Sequence, residues 1–423
     1  MSGGATGPER KLIDTCVHCG FCLPACPTYQ LSANEAESPR GRIDLMRRHS
    51  DGAIQLDSDF VGHIDSCLGC MACVKACPSG VDYETLIVEA RSMIQSSFRR
   101  PGRQRLVRKA IFAIMPYPVR MRPLVRLGSL AKRLGAERVA PRLSNGGVAA
   151  TFASALALLP RMTSSSAPAR GRLYAASSPR RGTVGLLTGC VSAVVFGSTE
   201  QAAVDVLRAE GFDVLVPAGQ GCCGALAEHS GESPLAARLA RKLVARLDRE
   251  QVDAWITTSA GCGSTLKSYD RLLPGEASAA KFSGRVRDIH EFLHQQGLRA
   301  DYKPLGIRIA YHPACHLANA QGIVDEPLAL LRAIPGCEVL LPGQAGTCCG
   351  SAGIYNLIEP ATAEALGTAK ASAIAELRPD VVAAGNPGCL LQIARYSDPG
   401  LASAHPVELL ARSLAAATAS GEA

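Results

Sequence analysis

The sequence predicts a multidomain α+β protein, in which a cysteine-rich helical domain precedes two repeated α/β domains with parallel sheets. Three observations carry this prediction. Eight of the 17 cysteines lie in the first 77 residues, none lies between Cys77 and Cys190, and nine follow. After residue 183, short apolar runs of β type alternate with longer helical patterns, which is typical of parallel sheets with crossover helices. One cysteine pattern occurs twice within this alternating part.

Length and composition exclude several classes of protein. The 423 residues are enough for several domains, and 47% apolar against 19% charged residues is typical of a globular chain. The longest nearly apolar stretch, 148–160, is too short to span a bilayer, and the first ten residues lack the apolar core of a secretory signal. We therefore expect a cytoplasmic protein, either free or peripheral on the cytoplasmic face of the inner membrane, whose thiols bind metal or do redox chemistry.

Two copies of one cysteine motif define the N-terminal domain, residues 1–98. The first is Cys16-x2-Cys19-x2-Cys22-x3-Cys26-Pro27, and the second is Cys67-x2-Cys70-x2-Cys73-x3-Cys77-Pro78. In two-cluster ferredoxins with this spacing, three cysteines of a motif bind one [4Fe–4S] cluster and the fourth binds the other. The expected ligands are Cys16, Cys19, Cys22 and Cys77 for cluster 1, and Cys67, Cys70, Cys73 and Cys26 for cluster 2.

Zinc is the alternative metal. A zinc site takes its four ligands as pairs of cysteines, so it does not explain why each copy has a third cysteine and ends in a Cys-Pro pair. The motifs begin 51 residues apart, and 40–49 and 83–98 have helical patterns, which favours a helical ferredoxin domain with two clusters. His18 lies between two expected ligands, where a structural role is favoured over ligation. Arg40 and Arg42 have two interpretations. In the first, their side chains hydrogen-bond to backbone beside a cluster or to carboxylates of a partner. In the second, they form a solvated basic turn.

Residues 99–182 form a basic connector and a linker. From Arg99 to Arg142, thirteen Lys or Arg stand against one acid, and prolines at 101, 116, 118 and 123 divide the segment into short helical pieces. The Ser/Ala/Pro/Arg-rich stretch 163–182 predicts a flexible linker. The charge fits a strap that faces an acidic partner subunit, or contact with the anionic membrane surface. Too few aromatic residues are interleaved for base stacking, so we expect no nucleic acid partner.

The two cysteine-rich repeats are predicted at 183–304 and 305–423. In the first, strands are expected at 183–187, 213–216 and 253–257, and helices at 199–210 and 235–249. Each cysteine group follows a predicted strand, and the carboxyl ends of parallel strands share one edge of a sheet, so each repeat brings four thiols together. These further candidate ligands are Cys190, Cys222, Cys223 and Cys262 in the first repeat, and Cys315, Cys348, Cys349 and Cys389 in the second.

Several other groups accompany these thiols. His312 and His316 flank Cys315, and His229 follows the Cys222-Cys223 pair. We expect capping or packing roles for the three histidines, with ligation or hydrogen bonding to sulfur as the alternative. Cys337 lies outside the repeated pattern and is expected to be a small buried apolar residue.

These motifs resemble the iron–sulfur subunits of bacterial glycolate oxidase (glycolate dehydrogenase). The resemblance runs from about residue 14 to residue 410 and rests on CVHCGFCLPACPTYQ, SPRGR, CLGCMACVKACPSGV and the doubled repeat. The wider family, with two [4Fe–4S] ferredoxin clusters and double cysteine-rich (CCG) domains, includes subunits for lactate oxidation, of anaerobic glycerol-3-phosphate dehydrogenase and of heterodisulfide reductase.

The resemblance implies a subunit of a 2-hydroxy-acid dehydrogenase complex that carries no catalytic residue of its own. FAD-containing partner subunits would oxidise glycolate to glyoxylate, and this chain would relay the electrons towards a quinone-linked acceptor. Lactate and glycerol 3-phosphate are the alternative substrates of such a complex.

The sequence departs from the heterodisulfide reductase pattern at the third cysteine group. Ser259 and Asn386 stand where that pattern has the first cysteine of C-x-x-C, so each repeat has four cysteines instead of five. In relatives with five, the repeat can hold a non-cubane cluster. Four thiols leave open whether these repeats hold an additional iron–sulfur cluster or no metal. A heterodisulfide-reductase-like catalytic subunit, and repeats that serve as a docking platform, are the rival interpretations.

Overall fold

The computed structural model describes residues 7–135, 156–157, 167–343 and 345–419, with side chains up to residue 416. Most of the apolar stretch 148–160, and the end of the basic connector at 136–142, lie outside the described residues. The described ranges contain a helical N-terminal domain, a helical connector and two α/β domains. None of the described helices combines the length and the apolar character that crossing a bilayer requires.

The N-terminal domain consists of helices that bracket the two cysteine loops. Its helices are α1 (Arg10–Ile13), α2 (Pro27–Ser32), α3 (Pro39–Ser50), α4 (Ser58–Asp65), α5 (Ala72–Lys75) and α6 (Tyr83–Ser97), with a 3-10 turn at Glu35–Glu37. The Ser38 side chain caps α3 by accepting the Gly41 N–H (3.0 Å), and the Asp82 side chain caps α6 by accepting the Thr85 N–H (3.1 Å). Helices α3 and α6 match the helical patterns at 40–49 and 83–98, and their apolar faces build the core beneath the loops.

Helices α7 (Gly102–Ile114) and α8 (Pro118–Arg133) form the connector. Pro118 occupies the first position of α8, where a missing N–H loses no hydrogen bond. Pro123 lies inside α8 without ending it, so the prediction that each proline divides the connector is wrong at this position. Because Met121, Val125 and Ser129 form a buried face of α8, packing offsets the lost backbone hydrogen bond.

The first repeat contains a five-stranded sheet with the order β1-β3-β2-β4-β5. Its strands are β1 (Arg172–Tyr174), β2 (Gly182–Leu186), β3 (Phe212–Val216), β4 (Ala254–Thr257) and β5 (Val286–Asp288). All neighbours pair in parallel except β1, which runs antiparallel to β3. Strand β1 lies inside the stretch 163–182, so the prediction of a flexible linker is wrong there. With three residues and a 55% exposed Leu173, this edge strand leaves little pattern in the sequence.

The helices of the first repeat connect these strands. They are α9 (Ser192–Val195), α10 (Gly197–Ala209), α11 (Ala225–Glu228), α12 (Ser233–Leu247), α13 (Ala260–Lys267), α14 (Tyr269–Leu272), α15 (Ala277–Ser283) and α16 (Ile289–Gln296). Helices α10 and α12, together with strands β2, β3 and β4, match the elements predicted for this repeat. The predicted alternation of strands and helices is therefore confirmed in the first repeat.

The second repeat contains a parallel sheet of four strands. These are β6 (Arg308–Tyr311), β7 (Glu338–Leu340), β8 (Val381–Ala383) and β9 (Ala402–Ala404), in the order β7-β6-β8-β9. A π-helical turn (His316–Ala320) and helices α17 (Asp325–Arg332), α18 (Tyr355–Ile358), α19 (Pro360–Ala375), α20 (Pro387–Tyr396) and α21 (Pro406–Ala419) complete it. The order matches β3-β2-β4-β5 of the first repeat, which confirms the internal repeat.

The two repeats pack on each other reciprocally. Helix α10 of the first repeat packs on α21 of the second, and α16 of the first packs on α17 of the second. One apolar core contains residues of both sheets, among them Val184, Ile256, Ile309 and Val381. This shared core fixes the cysteine-bearing edges of the two sheets relative to each other.

Candidate iron–sulfur centres and cysteine sites

The first thiol group, Cys16, Cys19, Cys22 and Cys77, lines a cavity in the N-terminal domain. Three of these cysteines come from the first motif and the fourth comes from the second. Cys19 is exposed, and the neighbouring Phe21 is 66% exposed. The structure therefore brings the expected ligands of cluster 1 together where another protein can approach them.

Basic residues support the loop of the first thiol group. The His18 carbonyl accepts a hydrogen bond from Arg40 Nη1 (3.0 Å), and His18 Nε2 lies 2.8 Å from Arg47 Nη1. His18 itself has a positive φ of 56°, which these contacts help to hold. Its ring thus contacts an arginine, in agreement with a structural role. Arg40 contacts the backbone of the cysteine loop rather than forming a solvated turn.

The second thiol group, Cys26, Cys67, Cys70 and Cys73, lines a neighbouring cavity. Three of its members, Cys26, Cys67 and Cys73, are buried. Cys73 also borders the cavity of the first thiol group, so the two groups are adjacent. The second cavity is lined by three cysteines of the second motif and one of the first, and the first cavity is lined by three cysteines of the first motif together with Cys77 and the shared Cys73 of the second. This arrangement fits the expected crossed ligand sets.

Arg42 is the main cation beside the second thiol group. It is 1% exposed, and its guanidinium donates to Thr28 Oγ1 (3.1 Å), Glu37 Oε2 (2.7 Å) and Ser66 Oγ (2.8 Å). Its Nη1 lies 4.0 Å from Cys26 Sγ. A buried cation held by three partners in contact with a thiol is suited to balancing the negative charge of metal-bound thiolates.

The thiols of the second group differ in proton affinity. Burial alone would raise the pKa of Cys67, but the charges of Arg42 and Arg91 outweigh it and lower that pKa. Burial raises the pKa of Cys70 and Cys73, and neighbouring thiols add to the effect. Metal binding would replace these thiol protons. Four sulfur donors around one small cavity beside buried cations fit a [4Fe–4S] cluster.

The repeat-1 thiols, Cys190, Cys222, Cys223 and Cys262, form a connected row, which is buried except for the half-buried Cys262. Cys190 Sγ lies 3.5 Å from Cys222 Sγ, and the Cys223 thiol contacts those of Cys222 and Cys262. The structure therefore brings together all four candidate cysteines of this repeat.

A glycine in the left-handed region follows each cysteine pair. Gly224 has a φ of 89° and donates its N–H to Cys222 Sγ (3.4 Å), and Gly350 has a φ of 86° and donates to Cys348 Sγ (3.5 Å). A Cβ at Gly350 would lie 2.8 Å from the Ala363 carbonyl oxygen. The C-C-G motif thus requires glycine both for its backbone angle and for space.

The repeat-2 thiols, Cys315, Cys348, Cys349 and Cys389, form an equivalent row. The Cys348 thiol contacts those of Cys315 and Cys349, and the Cys349 thiol contacts that of Cys389. His312 adds a nitrogen donor that the first repeat lacks, because Leu187 occupies the equivalent position there. A ring nitrogen of His312 and the sulfurs of Cys349 and Cys389 lie within 4.8 Å of one another.

The protonation of His312 suits a ligand better than a cap. Burial lowers its pKa to about 3, which leaves the imidazole neutral, and its Nδ1 has no hydrogen-bond partner among the described residues. A packing role, which the sequence favoured, leaves this nitrogen unexplained. The neutral imidazole, its unpartnered Nδ1 and the nearby thiols fit the alternative expectation for His312, which is ligation or hydrogen bonding to sulfur.

Comparison with known proteins identifies the family. The 4Fe-4S dicluster domain matches residues 12–81, and the cysteine-rich domain matches residues 184–267 and 309–394. The probable glycolate oxidase iron-sulfur subunit of Bacillus subtilis is 36% identical over 398 residues, which cover 91% of this chain and 89% of that protein. The glycolate oxidase iron-sulfur subunit of Escherichia coli is 30% identical over 91% of this chain and 90% of its own length. The chain belongs to the family of glycolate oxidase iron–sulfur subunits.

This membership confirms the resemblance, the fold class and the cofactor class that the sequence predicts. The chain is an iron–sulfur protein with a domain for two [4Fe–4S] clusters, and its relatives are subunits of an oxidoreductase. Lactate utilization protein A of Oceanobacillus iheyensis is 27% identical over 218 residues, which cover 50% of this chain and 87% of that protein.

In this member of the glycolate oxidase iron–sulfur family, the residues that replace cysteine join the two repeats. Ser259 Oγ and the Gly261 N–H each donate to Asn386 Oδ1 at 3.4 Å, and Asn386 Nδ2 donates to Cys389 Sγ at 3.4 Å. The position of the fifth cysteine is therefore used for an interdomain contact in both repeats.

The second thiol group lies against the second repeat, which the sequence does not reveal. Asn319 Nδ2 donates to the Cys70 carbonyl (2.9 Å), although the two residues are 249 positions apart. Cys70, Cys315 and Cys348 pack in one apolar group, and Tyr355 Oη donates to the Ser66 carbonyl (3.1 Å). The expected cluster 2 ligands and the repeat-2 thiols are therefore neighbours.

Proposed function

We propose that this chain relays electrons from FAD-containing partner subunits, which oxidise glycolate, to a quinone-linked acceptor. The observation that carries the proposal is the serial arrangement of the sulfur groups. The first thiol group lies at an accessible surface, and the second lies beside it, next to the repeats. A [4Fe–4S] cluster at each group accepts and releases one electron at a time.

The crossed cysteine sets are the proposed ligands. Cys16, Cys19, Cys22 and Cys77 would hold cluster 1, and Cys67, Cys70, Cys73 and Cys26 would hold cluster 2. The two cavities that these sets line support the assignment. Because each set draws one cysteine from the other motif, both clusters would also link the two halves of the domain.

Electrons would reach the chain at the loop of the first thiol group. Val17 and Phe21 are both 66% exposed on either side of the exposed Cys19. Exposed apolar side chains at a metal-binding loop are typical of a docking surface for a partner. This surface is the proposed contact with a flavin subunit.

The charges around the second thiol group favour transfer from cluster 1 to cluster 2. Arg42 lies in contact with Cys26, and Arg91 donates to the Cys67 backbone carbonyl. Both cations lower the pKa of the Cys67 thiol, because they stabilise negative charge there. They would stabilise an added electron for the same reason, which raises the reduction potential of the cluster that this group binds.

The connector offers a surface for the membrane that holds a quinone. Val119, Leu127 and Leu134 of this segment are 81%, 64% and 79% exposed, and Arg120 and Arg126 are exposed between them. Apolar and basic residues together are typical of helices that lie on anionic lipid. We expect the full chain to sediment with vesicles containing anionic lipid and Leu127→Glu to sediment less. If the full chain does not sediment with these vesicles, the acidic partner subunit is left as the occupant of this surface.

The relay is tested by adding glycolate to the anaerobic complex of this chain with its flavin partners. Electron paramagnetic resonance (EPR) should show reduced clusters after glycolate and their reoxidation after a quinone is added. Phe21→Ser should slow reduction by glycolate while leaving reduction by dithionite unchanged. Leu31→Ser, at a 49% exposed leucine of the same domain, is the matched control. Reduction of the flavin with both clusters left oxidised would refute the proposal.

Lactate is the second substrate to test, because the lactate utilization relative matches half of the chain. Faster cluster reduction with lactate than with glycolate would change the substrate and leave the relay in place. A heterodisulfide-type catalytic role is disfavoured, because Ser259 and Asn386 bond each other where that pattern has cysteine.

A further inference from the structure

A compact set of metal-binding donors lies at the sheet edge of the second repeat. A ring nitrogen of His312 and the sulfurs of Cys349 and Cys389 all lie within 4.8 Å of one another, and all three side chains are buried. Tetrahedral zinc holds sulfur at about 2.3 Å and nitrogen at about 2.0–2.1 Å, which places neighbouring donors about 4 Å apart. Small side-chain movements would therefore bring the three donors onto a single ion.

Three neighbouring strands of one sheet position these donors. His312 directly follows β6, and its backbone N–H donates to the Ala383 carbonyl of β8 (2.8 Å), which extends the pairing of these two strands. Cys349 lies in the loop after β7, and Cys389 lies in the first turn of α20, after β8. Because the carboxyl ends of parallel strands meet at one edge of a sheet, the fold itself brings the donors together.

The imidazole of His312 distinguishes the second repeat from the first. Its Nδ1 is shielded from solvent and has no hydrogen-bond partner among the residues that the structure describes. Buried polar atoms are rarely left unpaired, so this nitrogen indicates a ligand. In the first repeat, Leu187 stands at the equivalent position, three residues before Cys190, and packs in an apolar core. At this position only the second repeat adds an imidazole to its thiols.

The groups around these donors fit thiolates bound to a metal ion. Asn386 Nδ2 donates to Cys389 Sγ (3.4 Å), and a hydrogen bond of this kind orients a metal ligand. Cys348, whose thiol contacts that of Cys349, offers a fourth donor. Three thiolates and a neutral imidazole around a dication carry one net negative charge, which is costly to bury unpaired. Lys370 is buried and interacts electrostatically with all three thiols, so it supplies the balancing positive charge.

We propose that the second repeat binds one zinc ion, with His312, Cys349 and Cys389 as ligands. Cys348 takes the fourth position. Zinc is favoured because it binds mixed sulfur and nitrogen donors in tetrahedral sites. A [4Fe–4S] cluster spreads its thiolates over separate irons, which donors this close to one another do not fit. Because zinc undergoes no redox change, the site carries no electrons and stabilises the repeat that packs against the second thiol group.

The test measures the metal content of the full chain, purified anaerobically and without chelator from cells supplied with zinc. About one zinc per chain should accompany the iron of the two clusters, with Zn–S distances of about 2.3 Å and an imidazole ligand in the zinc X-ray absorption spectrum. His312→Leu gives the second repeat the side chain that the first buries at this position, and it should lose the zinc. His294→Leu, at an exposed histidine of α16, is the matched control and should keep it.

A second pair of variants separates the zinc site from a folding defect. Cys389→Ser should lose the zinc, whereas Cys262→Ser, at the equivalent cysteine of the first repeat, should keep it. Iron content and the EPR signals of both clusters should stay unchanged in every variant. Absence of zinc from the unaltered chain, a zinc spectrum without an imidazole ligand, or equal zinc in His312→Leu would overturn the proposal. About four additional irons per chain that His312→Leu loses would also overturn it, because the donors would then hold a cluster.

Discussion

Replacing Arg42 by methionine should lower the reduction potential of cluster 2. At the 4.0 Å that separates Arg42 Nη1 from Cys26 Sγ, one unit charge stabilises another by about 4 kcal/mol at an effective dielectric constant of about 20. Because an added electron is spread over the whole cluster, its mean distance from the Arg42 charge is taken as twice the distance to Cys26 Sγ. The stabilisation of the electron by this charge is then about 2 kcal/mol. At about 59 mV for each tenfold change in a one-electron equilibrium, the potential should fall by about 90 mV.

The assay is an EPR redox titration of the full chain, in which the two clusters are followed separately. Arg42→Lys is the control, because it keeps the charge while losing the forked hydrogen bonds to Thr28, Glu37 and Ser66. Arg42→Lys should keep most of the cluster 2 reduction potential of the unaltered chain, even if its thermal unfolding midpoint falls as much as that of Arg42→Met. An unchanged cluster 2 potential in Arg42→Met, or a shift confined to cluster 1, would refute the electrostatic reasoning.

Three further predictions concern the repeats. Burial raises the pKa of Glu200 to about 8, so the folded chain holds this proton after the unfolded chain has lost it, and stability should fall as pH rises through the range from about 4.5 to 8. Thermal midpoints should fall less over this range in Glu200→Gln than in the exposed control Glu376→Gln; equal slopes would contradict the assignment. Cys348→Ala should change the EPR spectrum of cluster 2, because Cys348 packs beside Cys70, whereas Cys222→Ala at the equivalent position of the first repeat should not. The reverse pattern would place the contact with cluster 2 in the first repeat instead of the second. Asn386→Leu removes the bonds between the repeats and should reduce the free energy of unfolding by about 1–3 kcal/mol in denaturant titrations, and no loss would show that these bonds are dispensable.

The apolar and cysteine patterns of the sequence predicted the strands of the first repeat and the cysteine groups that follow them. The apolar runs before Cys190, Cys222 and Cys262 form strands β2, β3 and β4. Because parallel strands end at one edge of a sheet, the cysteines that follow these strands were expected to lie together, and they do. The short edge strand β1 escaped prediction, because it is stabilised by pairing with β3 rather than by an apolar pattern of its own.

Contacts across long sequence separations could not be predicted. Arg91 bonds the His229 carbonyl 138 positions away, and Asn319 bonds the Cys70 carbonyl 249 positions away. Each depends on how the domains pack, which no motif spacing encodes. The sequence did single out His229 and His316 beside cysteines, but only the packed structure brings their rings together.

The most direct test of the account is the iron and sulfide content and the EPR spectrum of Cys77→Ala, purified anaerobically. Cys77 belongs to the second motif but lines the cavity of the first thiol group. The account predicts the loss of about four irons per chain and of the cluster 1 signal, with cluster 2 retained. Cys337→Ala, at a cysteine outside both thiol groups and outside the repeated cysteine pattern, should retain both signals. Loss of cluster 2 with cluster 1 intact would contradict the crossed ligand sets on which the proposed relay rests.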